Sequence, residues 1–228
     1  VTGGIWSSLL NVSSRVLQLL TFVILARFLS PAAFGILGVA MLVIVALRRM
    51  SKLGLNEALI YNTNENVDEY LNTAWMLNVG RGAVIAGLLF LGAPYIADFF
   101  SEPQAREILA VMAAGPLILG LKNPAVVYFR KDLDFHKEFT YRISGDFAYF
   151  VVAVVYSLID PTVWALAAAY VTRTLVRTAA SYTIHDYRPW PSFDTDRARE
   201  MIDYGKWITA SNITNYIRNE GDDVFVGW

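Results

Sequence analysis

The chain has 228 residues, of which 55% are hydrophobic and only 17% are charged, and its formal net charge is −1. A soluble domain carries about a quarter of its residues as charges, so this composition is that of a membrane protein. The near-zero net charge excludes the concentrated basic face that nucleic-acid binding requires. The absence of cysteine excludes disulfides, thiolate metal sites and cysteine nucleophiles.

Seven apolar segments follow one another along the chain, and six of them are complete. They cover residues 4–29, 33–50, 73–97, 107–127, 140–159, 162–185 and, for the incomplete one, 206–228. A stretch of about 20 apolar residues has the length of a helix that crosses a bilayer. The sequence therefore predicts an all-α integral membrane protein, with six transmembrane helices in residues 1–203 and the start of a seventh helix in residues 204–228.

The first segment carries Arg15 in its middle. If the membrane helix starts near Ile5, ten residues at about 1.5 Å each place Arg15 roughly 15 Å deep, half of a hydrocarbon core about 30 Å thick. A charge at this depth faces a protein interior or a water-filled cavity rather than lipid. Arg15 is therefore predicted to hold an anionic group, and the alternative is a pair with a buried carboxylate or a helix end.

Further charges fall at membrane depth in later segments. Arg173 and Arg177 lie four residues apart on one face of the sixth helix, a like-charge pair that is unfavourable unless an anion neutralises it. Either a bound anion neutralises the pair, or Asp146 or the snorkelling of Arg177 to the interface accounts for it, and both interpretations stay open. Arg142 and Asp146 have the spacing of a structural pair. Arg81 on the third helix either faces a cavity or is paired.

The third segment is also rich in glycine. Four glycines give it a face of small residues, which predicts close packing against another helix; they are Gly80, Gly82, Gly87 and Gly92.

Lysine and arginine are concentrated in alternate connections, which predicts the orientation in the membrane. The connections 48–71, 122–142 and 186–206 hold most of these residues, whereas Arg106 stands alone in the opposite ones. By the positive-inside rule the first set is cytoplasmic, and so is the amino terminus. The loops at 30–33, 98–106 and 160–162 then face outward.

Two of the cytoplasmic connections are predicted to form helices that lie in the membrane interface. Residues 128–139 place aromatic side chains among charges, and residues 195–204 follow a capping residue, Asp194 or Thr195. The first of them contains Asp132-Leu133-Asp134, which matches the D-x-D pattern of many glycosyltransferases. That pattern works in a soluble nucleotide-binding domain, for which the connections leave no room. No metal site is expected, because the two histidines lack partners at ligand spacing.

Short motifs in a consistent order carry a family resemblance. They include Leu25-Ala26-Arg27-Phe28-Leu29-Ser30-Pro31, Asn72-Thr73-Ala74-Trp75, Asn123-Pro124, Trp164-Ala165-Leu166 and Tyr187-Arg188-Pro189. In these motifs the chain resembles the Wzx-type oligosaccharide flippases, the polysaccharide-transporter branch of the multidrug/oligosaccharidyl-lipid/polysaccharide (MOP) exporter superfamily. The resemblance covers essentially the whole chain.

The resemblance implies a fold of two six-helix lobes around a central cavity, with this chain supplying the first lobe. It implies a multi-pass protein of the cytoplasmic membrane that moves a lipid-diphosphate-linked oligosaccharide by alternating access, for polysaccharide or lipopolysaccharide biosynthesis. Such a transporter is not an enzyme and needs no cofactor. Its partners are the lipid-linked oligosaccharide, membrane lipids and other glycan assembly proteins. Binding of the diphosphate falls first to Arg15 and then to Arg27.

An internal match supports a repeated architecture. Residues 4–13 align with residues 205–214, with identical Gly, Trp and Asn. The second copy is followed by charged residues at membrane depth, which predicts that they face a second lobe. They are Arg218, Glu220, Asp222 and Asp223, of which Arg218, Asp222 and Asp223 are candidate cavity or coupling residues. We therefore expect the chain to be the first half of a protein with about twelve spans.

Two other functions stay open at this point. The first is a cation-coupled small-molecule antiporter of the same superfamily, which needs a carboxylate in the first lobe. Asp146 is the clear intramembrane carboxylate before the seventh helix. The second is an integral-membrane glycosyltransferase or polymerase, which the short connections disfavour.

Overall fold

The computed structural model describes residues 2–51, 68–203, 205 and 214. Within this part of the chain every regular element is a helix. The elements are α1 (Thr2–Leu25), α2 (Pro31–Met50), α3 (Asp68–Phe99), α4 (Ala105–Met112), α5 (Ala114–Gly120), a 3₁₀ helix (Pro124–Val127), α6 (Tyr128–Lys131), α7 (Phe135–Ile159) and α8 (Val163–Ile184). A further helix, α9, covers residues 195–203.

Among the described residues, three helices are long and apolar enough to cross a membrane. They are Pro31–Met50, Tyr70–Phe99 and Phe135–Ile159, and a shorter apolar helix covers Val12–Leu25. The prediction of an all-helical membrane protein is confirmed. The count of six spans stays a prediction.

The start and end of α2 follow from its sequence. Ser30 accepts a hydrogen bond from the backbone N–H of Ala33 at 3.4 Å, and Pro31 occupies the first turn, where its missing N–H costs nothing. Arg48 and Arg49 lie in the last turn, where a positive charge is favourable beside the unpaired carbonyls.

Two predicted segments are divided in the structure. The segment predicted over 107–127 consists of α4, α5 and the 3₁₀ helix, with the first break at Ala113. Pro116 explains that break, because its ring clashes with the carbonyl four residues earlier and has no N–H to donate.

The interfacial helix predicted over 128–139 is wrong as a single element. Its chain leaves α6 after Lys131, passes through Leu133 at a φ of 56° and begins α7 at Phe135.

The core lies between α1, α2, α3, α4, α7 and α8. Its fully buried side chains include Leu25, Ile44, Leu89, Ile108 and Leu166. The most extensive helix pair is α7 with α8, followed by α1 with α7 and α3 with α5. Residues 2–51 and 68–184 therefore form one packed unit in which α7 contacts both α1 and α8.

Only one of the four glycines predicted to mediate packing does so among the described residues. A Cβ atom at Gly82 would lie 2.6 Å from the carbonyl oxygen of Pro116, and one at Gly120 would lie 2.7 Å from that of Asn78. Side chains at these two positions would force α3 and α5 apart. In contrast, a Cβ at Gly80 or Gly87 would meet nothing within 4 Å.

The carboxyl-terminal part of the described chain agrees with one prediction and leaves another open. Asp194 accepts hydrogen bonds from the backbone N–H groups of Asp196 and Arg197, at 2.9 and 3.1 Å, so it is the predicted cap of α9. The predicted seventh helix falls in residues 204–228, which lie outside the described residues except for positions 205 and 214.

Candidate functional site

A cluster of charged side chains joins α1, α7 and α8 at the middle of these helices. Its centre is Asp146, which lies about 16 Å along α7 from Phe135 and is 7% exposed. Its Oδ1 lies 2.6 Å from Nη2 of Arg173 and 2.8 Å from Nη2 of Arg177, and its Oδ2 accepts a hydrogen bond from Ser14 Oγ at 2.9 Å. We call Ser14, Asp146, Arg173 and Arg177 the ion cluster.

The local sequence makes room for this arrangement. A Cβ atom at Gly145 would collide with the side chain of Arg177, with only 2.8 Å to its Nε, so glycine at this position allows the guanidinium to reach the carboxylate. One helical turn after Gly145, Tyr149 lies under Arg173, whose Cζ is 5.9 Å from the ring centroid. That geometry gives a cation–π contact.

The charges in the ion cluster do not balance. Two guanidinium groups face one carboxylate, and the Nε atoms of Arg173 and Arg177 have no hydrogen-bond partner among the described residues. A buried donor without a partner costs about 1–3 kcal/mol. The cluster therefore carries a surplus positive charge and spare donors in a region where water is scarce.

A cavity of about 250 Å³ adjoins the ion cluster between α1, α2, α7 and α8. Its polar lining comes from Gln18, Thr21, Asp146, Tyr149, Tyr170 and Arg173, and the rest of its wall is apolar. Arg173 borders the cavity, whereas Arg177 does not. The ring of Tyr170 fits beside the cavity because residue 115 of α5 is a glycine. A Cβ atom at that position would collide with the tyrosine ring.

The structure brings together three of the residues singled out from the sequence, namely Asp146, Arg173 and Arg177. The pairing predicted between Arg142 and Asp146 is wrong. Arg142 pairs instead with Glu138, at 2.9 Å between Nη2 and Oε1. Both carboxylates lie four residues from Arg142 along α7, and Asp146 is already held by two arginines from α8.

Arg15, Arg27 and Arg81 are not members of the ion cluster. Arg15 and Arg27 have exposed side chains and form no ion pair with the residues that the structure describes. Arg81 is half-buried and donates to the carbonyl oxygen of Ser51 at 3.3 Å. Arg218, Asp222 and Asp223 lie outside the described residues. The roles predicted for these residues stay predictions.

Sequence reasoning missed the neutral members of the site. Ser14, Gln18, Tyr149 and Tyr170 contact the cluster or the cavity, and Gly145 admits Arg177. A glycine directly before an intramembrane carboxylate is the one local signal that could have indicated close approach of another side chain.

A second polar cluster lies where α8 ends, and its members are neutral. Asn123 is fully buried; its backbone N–H donates to Ser181 Oγ at 2.9 Å and its side-chain amide donates to the carbonyl oxygen of Tyr187 at 2.6 Å. The hydroxyl of Tyr187 in turn donates to Asn72 Oδ1 at 2.8 Å. We call Asn72, Asn123, Ser181 and Tyr187 the neutral cluster. It fastens the chain after α8 to α3.

The D-x-D pattern has a structural role. Asp134 is the cap of α7, and its Oδ1 accepts a hydrogen bond from the backbone N–H of Lys137 at 3.4 Å. The side chain of Lys137 lies 3.1 Å away and its hydrogen bond lowers the pKa of Asp134, assisted by the backbone hydrogen bond. The last aspartate of the pattern is therefore engaged in starting a helix.

The fold and the ion cluster define a helical membrane protein with a charged site at the middle of its long helices. Comparison with known proteins identifies the family. The chain belongs to the polysaccharide biosynthesis protein family, whose model matches residues 24–228. The resemblance to the Wzx-type transporters is thereby confirmed.

Several curated proteins are similar to nearly the whole chain. It is 28% identical to the succinoglycan biosynthesis transport protein ExoT of Rhizobium meliloti, over 93% of the chain and 43% of that protein. It is 26% identical to the lipopolysaccharide biosynthesis protein WzxC of Escherichia coli, over 95% of the chain and 44% of that protein. The teichuronic acid biosynthesis protein TuaB of Bacillus subtilis is 21% identical, over 100% of the chain and 47% of TuaB.

The chain spans less than half of the length of these relatives. No solved structure matches it significantly.

Proposed function

We propose that this chain is the first lobe of a transporter that moves a lipid-diphosphate-linked oligosaccharide across the cytoplasmic membrane by alternating access. The observation that carries the proposal is an ion cluster with surplus positive charge, at the middle of membrane helices, in a chain of the polysaccharide biosynthesis family. A phosphate-bearing lipid supplies the negative charge that this cluster lacks. In this proposal the protein is a transporter and not an enzyme.

The names of the relatives refer to different glycans. Succinoglycan, lipopolysaccharide and teichuronic acid are different polymers. In this proposal the part of the substrate that the ion cluster recognises is the lipid diphosphate and not the glycan, because a cationic site binds phosphate oxygens. Other glycan assembly proteins of the same membrane are the expected partners.

In this proposal α1, α2, α3, the pair α4–α5, α7 and α8 are the six spans, with the amino terminus in the cytoplasm. Arg15 then faces the central cavity between the two lobes. Its exposed side chain at the middle of α1 supports this, because a charge at that depth is costly against lipid and is accommodated in a water-filled cavity. Arg27, Arg81, Arg218, Asp222 and Asp223 are further candidates for the cavity wall.

The geometry of Asp146 disfavours the alternative of a cation-coupled antiporter. A metal cation at this carboxylate would lie beside two guanidinium groups within 2.8 Å of the same oxygen. Their positive charges repel it. A membrane glycosyltransferase is disfavoured because Asp134, the last residue of the D-x-D pattern, caps a helix.

Export of surface glycan by the full-length protein tests the proposal. Arg15→Ala is expected to abolish export, and Arg15→Lys is expected to keep part of it, because the charge remains while the two-pronged guanidinium is lost. Arg106→Ala, which removes an exposed arginine from the first turn of α4, is the matched control and should export normally. Normal export by Arg15→Ala, or by cells that lack the protein, would contradict the proposal.

The orientation is tested separately with single cysteines. The chain contains no cysteine, and Ser101 and Ser192 are both exposed. A cysteine at Ser101 should react with an impermeant thiol reagent in intact cells, and one at Ser192 only after permeabilisation. Reaction of both from the same side would refute the assigned spans.

A further inference from the structure

The cavity beside the ion cluster has two chemically different parts. Arg173, Asp146 and Gln18 form the polar end of its lining. About two turns away along α8 and α1, Leu166 and Leu25 are apolar, and together with Leu37 of α2 they form its apolar wall. A ligand that fits both parts has a polar head and an apolar body.

The charge of the polar end selects an anion. Arg142 is matched by Glu138, and Asp146 is shared between Arg173 and Arg177, so this group of side chains keeps one positive charge in excess. Arg173 is the cation of the cluster that borders the cavity. A guanidinium with spare donors binds phosphate oxygens through two hydrogen bonds at once.

The size of the cavity excludes the glycan. Pockets that enclose a drug-sized ligand measure about 300–1,000 Å³, and this cavity measures about 250 Å³. It has room for a phosphate group and the first part of an apolar chain. An oligosaccharide must lie elsewhere, and its hydroxyl groups would find few partners on an apolar wall.

We propose that this cavity binds the phosphate end of the lipid carrier, with a phosphate on Arg173 and the adjoining prenyl chain against the apolar wall. When the ligand is absent, the carboxylate of Asp146 pairs with the guanidinium of Arg173. When the ligand binds, its phosphate takes the place of that carboxylate on Arg173. Asp146 keeps its contacts with Ser14 and Arg177. The proposal rests on the proposed function and assigns a separate position within the first lobe to one part of its substrate.

Binding to the purified full-length protein in a non-ionic detergent tests this proposal. The probes are inorganic diphosphate, dimethylallyl diphosphate and geranyl diphosphate, measured by isothermal titration. Affinity should rise along this series by about tenfold or more, because each prenyl unit buries more apolar surface. Equal affinity for all three would show a site for free phosphate and would overturn the assignment of the chain.

Two charge variants should shift geranyl diphosphate binding in opposite directions. Arg173→Gln should weaken it by about tenfold or more, because a charged hydrogen-bonding partner of the phosphate is lost. Asp146→Asn should strengthen it, because the competing carboxylate is removed. Arg142→Gln is the matched control and should change nothing. If both charge variants weaken binding, the cluster is only structural and the proposal fails.

A third pair of variants tests the apolar wall without touching a charge. Leu37 lines the cavity, whereas Leu42 on the same helix is exposed outside it. Leu37→Trp should reduce the affinity for geranyl diphosphate to that for inorganic diphosphate, and Leu42→Trp should leave both unchanged. Unchanged binding by a folded Leu37→Trp protein would overturn the proposal, and so would full competition by phosphatidylglycerol.

Glycan export separates failure of this inference from failure of the proposed function. If Arg15→Ala abolishes export while the Arg173 and Leu37 variants leave the affinity for geranyl diphosphate unchanged, the proposed function stands. The assignment of the lipid carrier to this cavity is then wrong. If the protein exports no glycan, the proposed function itself is wrong.

Discussion

The two polar clusters of this protein both join helices, but their polar groups are matched in different ways. In the neutral cluster, the backbone N–H, the side-chain amide and the side-chain oxygen of Asn123 each have a partner, at 2.6–3.0 Å. In the ion cluster one carboxylate serves two guanidinium groups, whose Nε atoms have no partner in the described part of the chain, and a cavity lies beside it. The neutral cluster is complete without a ligand, whereas the ion cluster is not. The difference indicates that the neutral cluster stabilises the fold and that the ion cluster is the one that binds a ligand.

The largest expected effect comes from removing the shared carboxylate. Asp146→Ala removes a buried carboxylate that two half-buried arginines share, and breaking a buried ion pair costs about 3–5 kcal/mol. Thermal unfolding of the full-length protein in detergent measures the loss. Added inorganic diphosphate should restore part of the stability, because it supplies the missing negative charge. Stability that diphosphate leaves unchanged would contradict a surplus positive charge at this site.

Asn123→Ala should have a smaller effect of a different kind. It removes the hydrogen bond from the side-chain amide to the carbonyl oxygen of Tyr187 and the side-chain acceptor of the buried N–H of Ala125, which costs about 1–3 kcal/mol. Diphosphate should not restore this loss, because no charge is involved. Asn78→Ala is the matched control, since the side-chain amide of Asn78 donates to the carbonyl oxygen of Ala74 in its own helix. An Asn123→Ala protein that diphosphate rescues would remove the distinction between the clusters.

Gly145→Ala tests the ion cluster without changing a charge. The added methyl group displaces Arg177, and overpacking of this kind costs about 1 kcal/mol or slightly more. Gly80→Ala places the same methyl group on α3 where nothing lies within 4 Å; it should leave stability unchanged or raise it by up to about 1 kcal/mol, because alanine favours the helix. Denaturation of both variants measures the difference, and equal stability of the two would show that Arg177 moves freely.

The smallest effect is expected at Asp134, a half-buried carboxylate, in contrast with buried Asp146. Asp134→Ala removes the cap of α7 and should cost about 0.5–1 kcal/mol, whereas Asp132→Ala should cost less. Lys137 lowers the pKa of Asp134 in the folded protein. Its stabilisation is therefore full above the ordinary pKa of about 3.9 and is lost as the pH falls through the lower folded value. Unfolding measured across this acidic range should show the Asp134→Ala variant converging with the parent protein, and a constant difference would rule out the linkage.

Most helices could be predicted from the sequence, because a run of apolar residues of membrane length has few other structures available. The errors have local causes. A proline, Pro116, interrupts the helix predicted over 107–127, and a turn through Leu133 at positive φ, closed by the cap at Asp134, divides the one predicted over 128–139. Caps and breaks depend on a few backbone contacts, which an apolar pattern does not specify.

For the site, the sequence placed Arg173 and Arg177 on one face of a helix and identified Asp146 as an intramembrane carboxylate. It left open whether Asp146 or a bound anion neutralises the two arginines. It also paired Asp146 with Arg142, because spacing along a helix favours that neighbour as much as Glu138. The pairing of Asp146 is decided by Arg177 of α8, which lies 31 residues away along the chain. A rule based on spacing within one helix does not include such a contact.

The sequence by itself determined that this protein is helical, that it suits a membrane and that it carries arginines where lipid would not tolerate them. These properties follow from the chemistry of each segment, whichever segment it contacts. Only the tertiary structure decided that Ser14, Asp146, Arg173 and Arg177 meet, that one carboxylate is shared by two cations, and that a cavity with an apolar wall adjoins them. Those facts depend on how α1, α2, α7 and α8 pack, and packing is set by the fit of distant surfaces rather than by the order of residues within one helix.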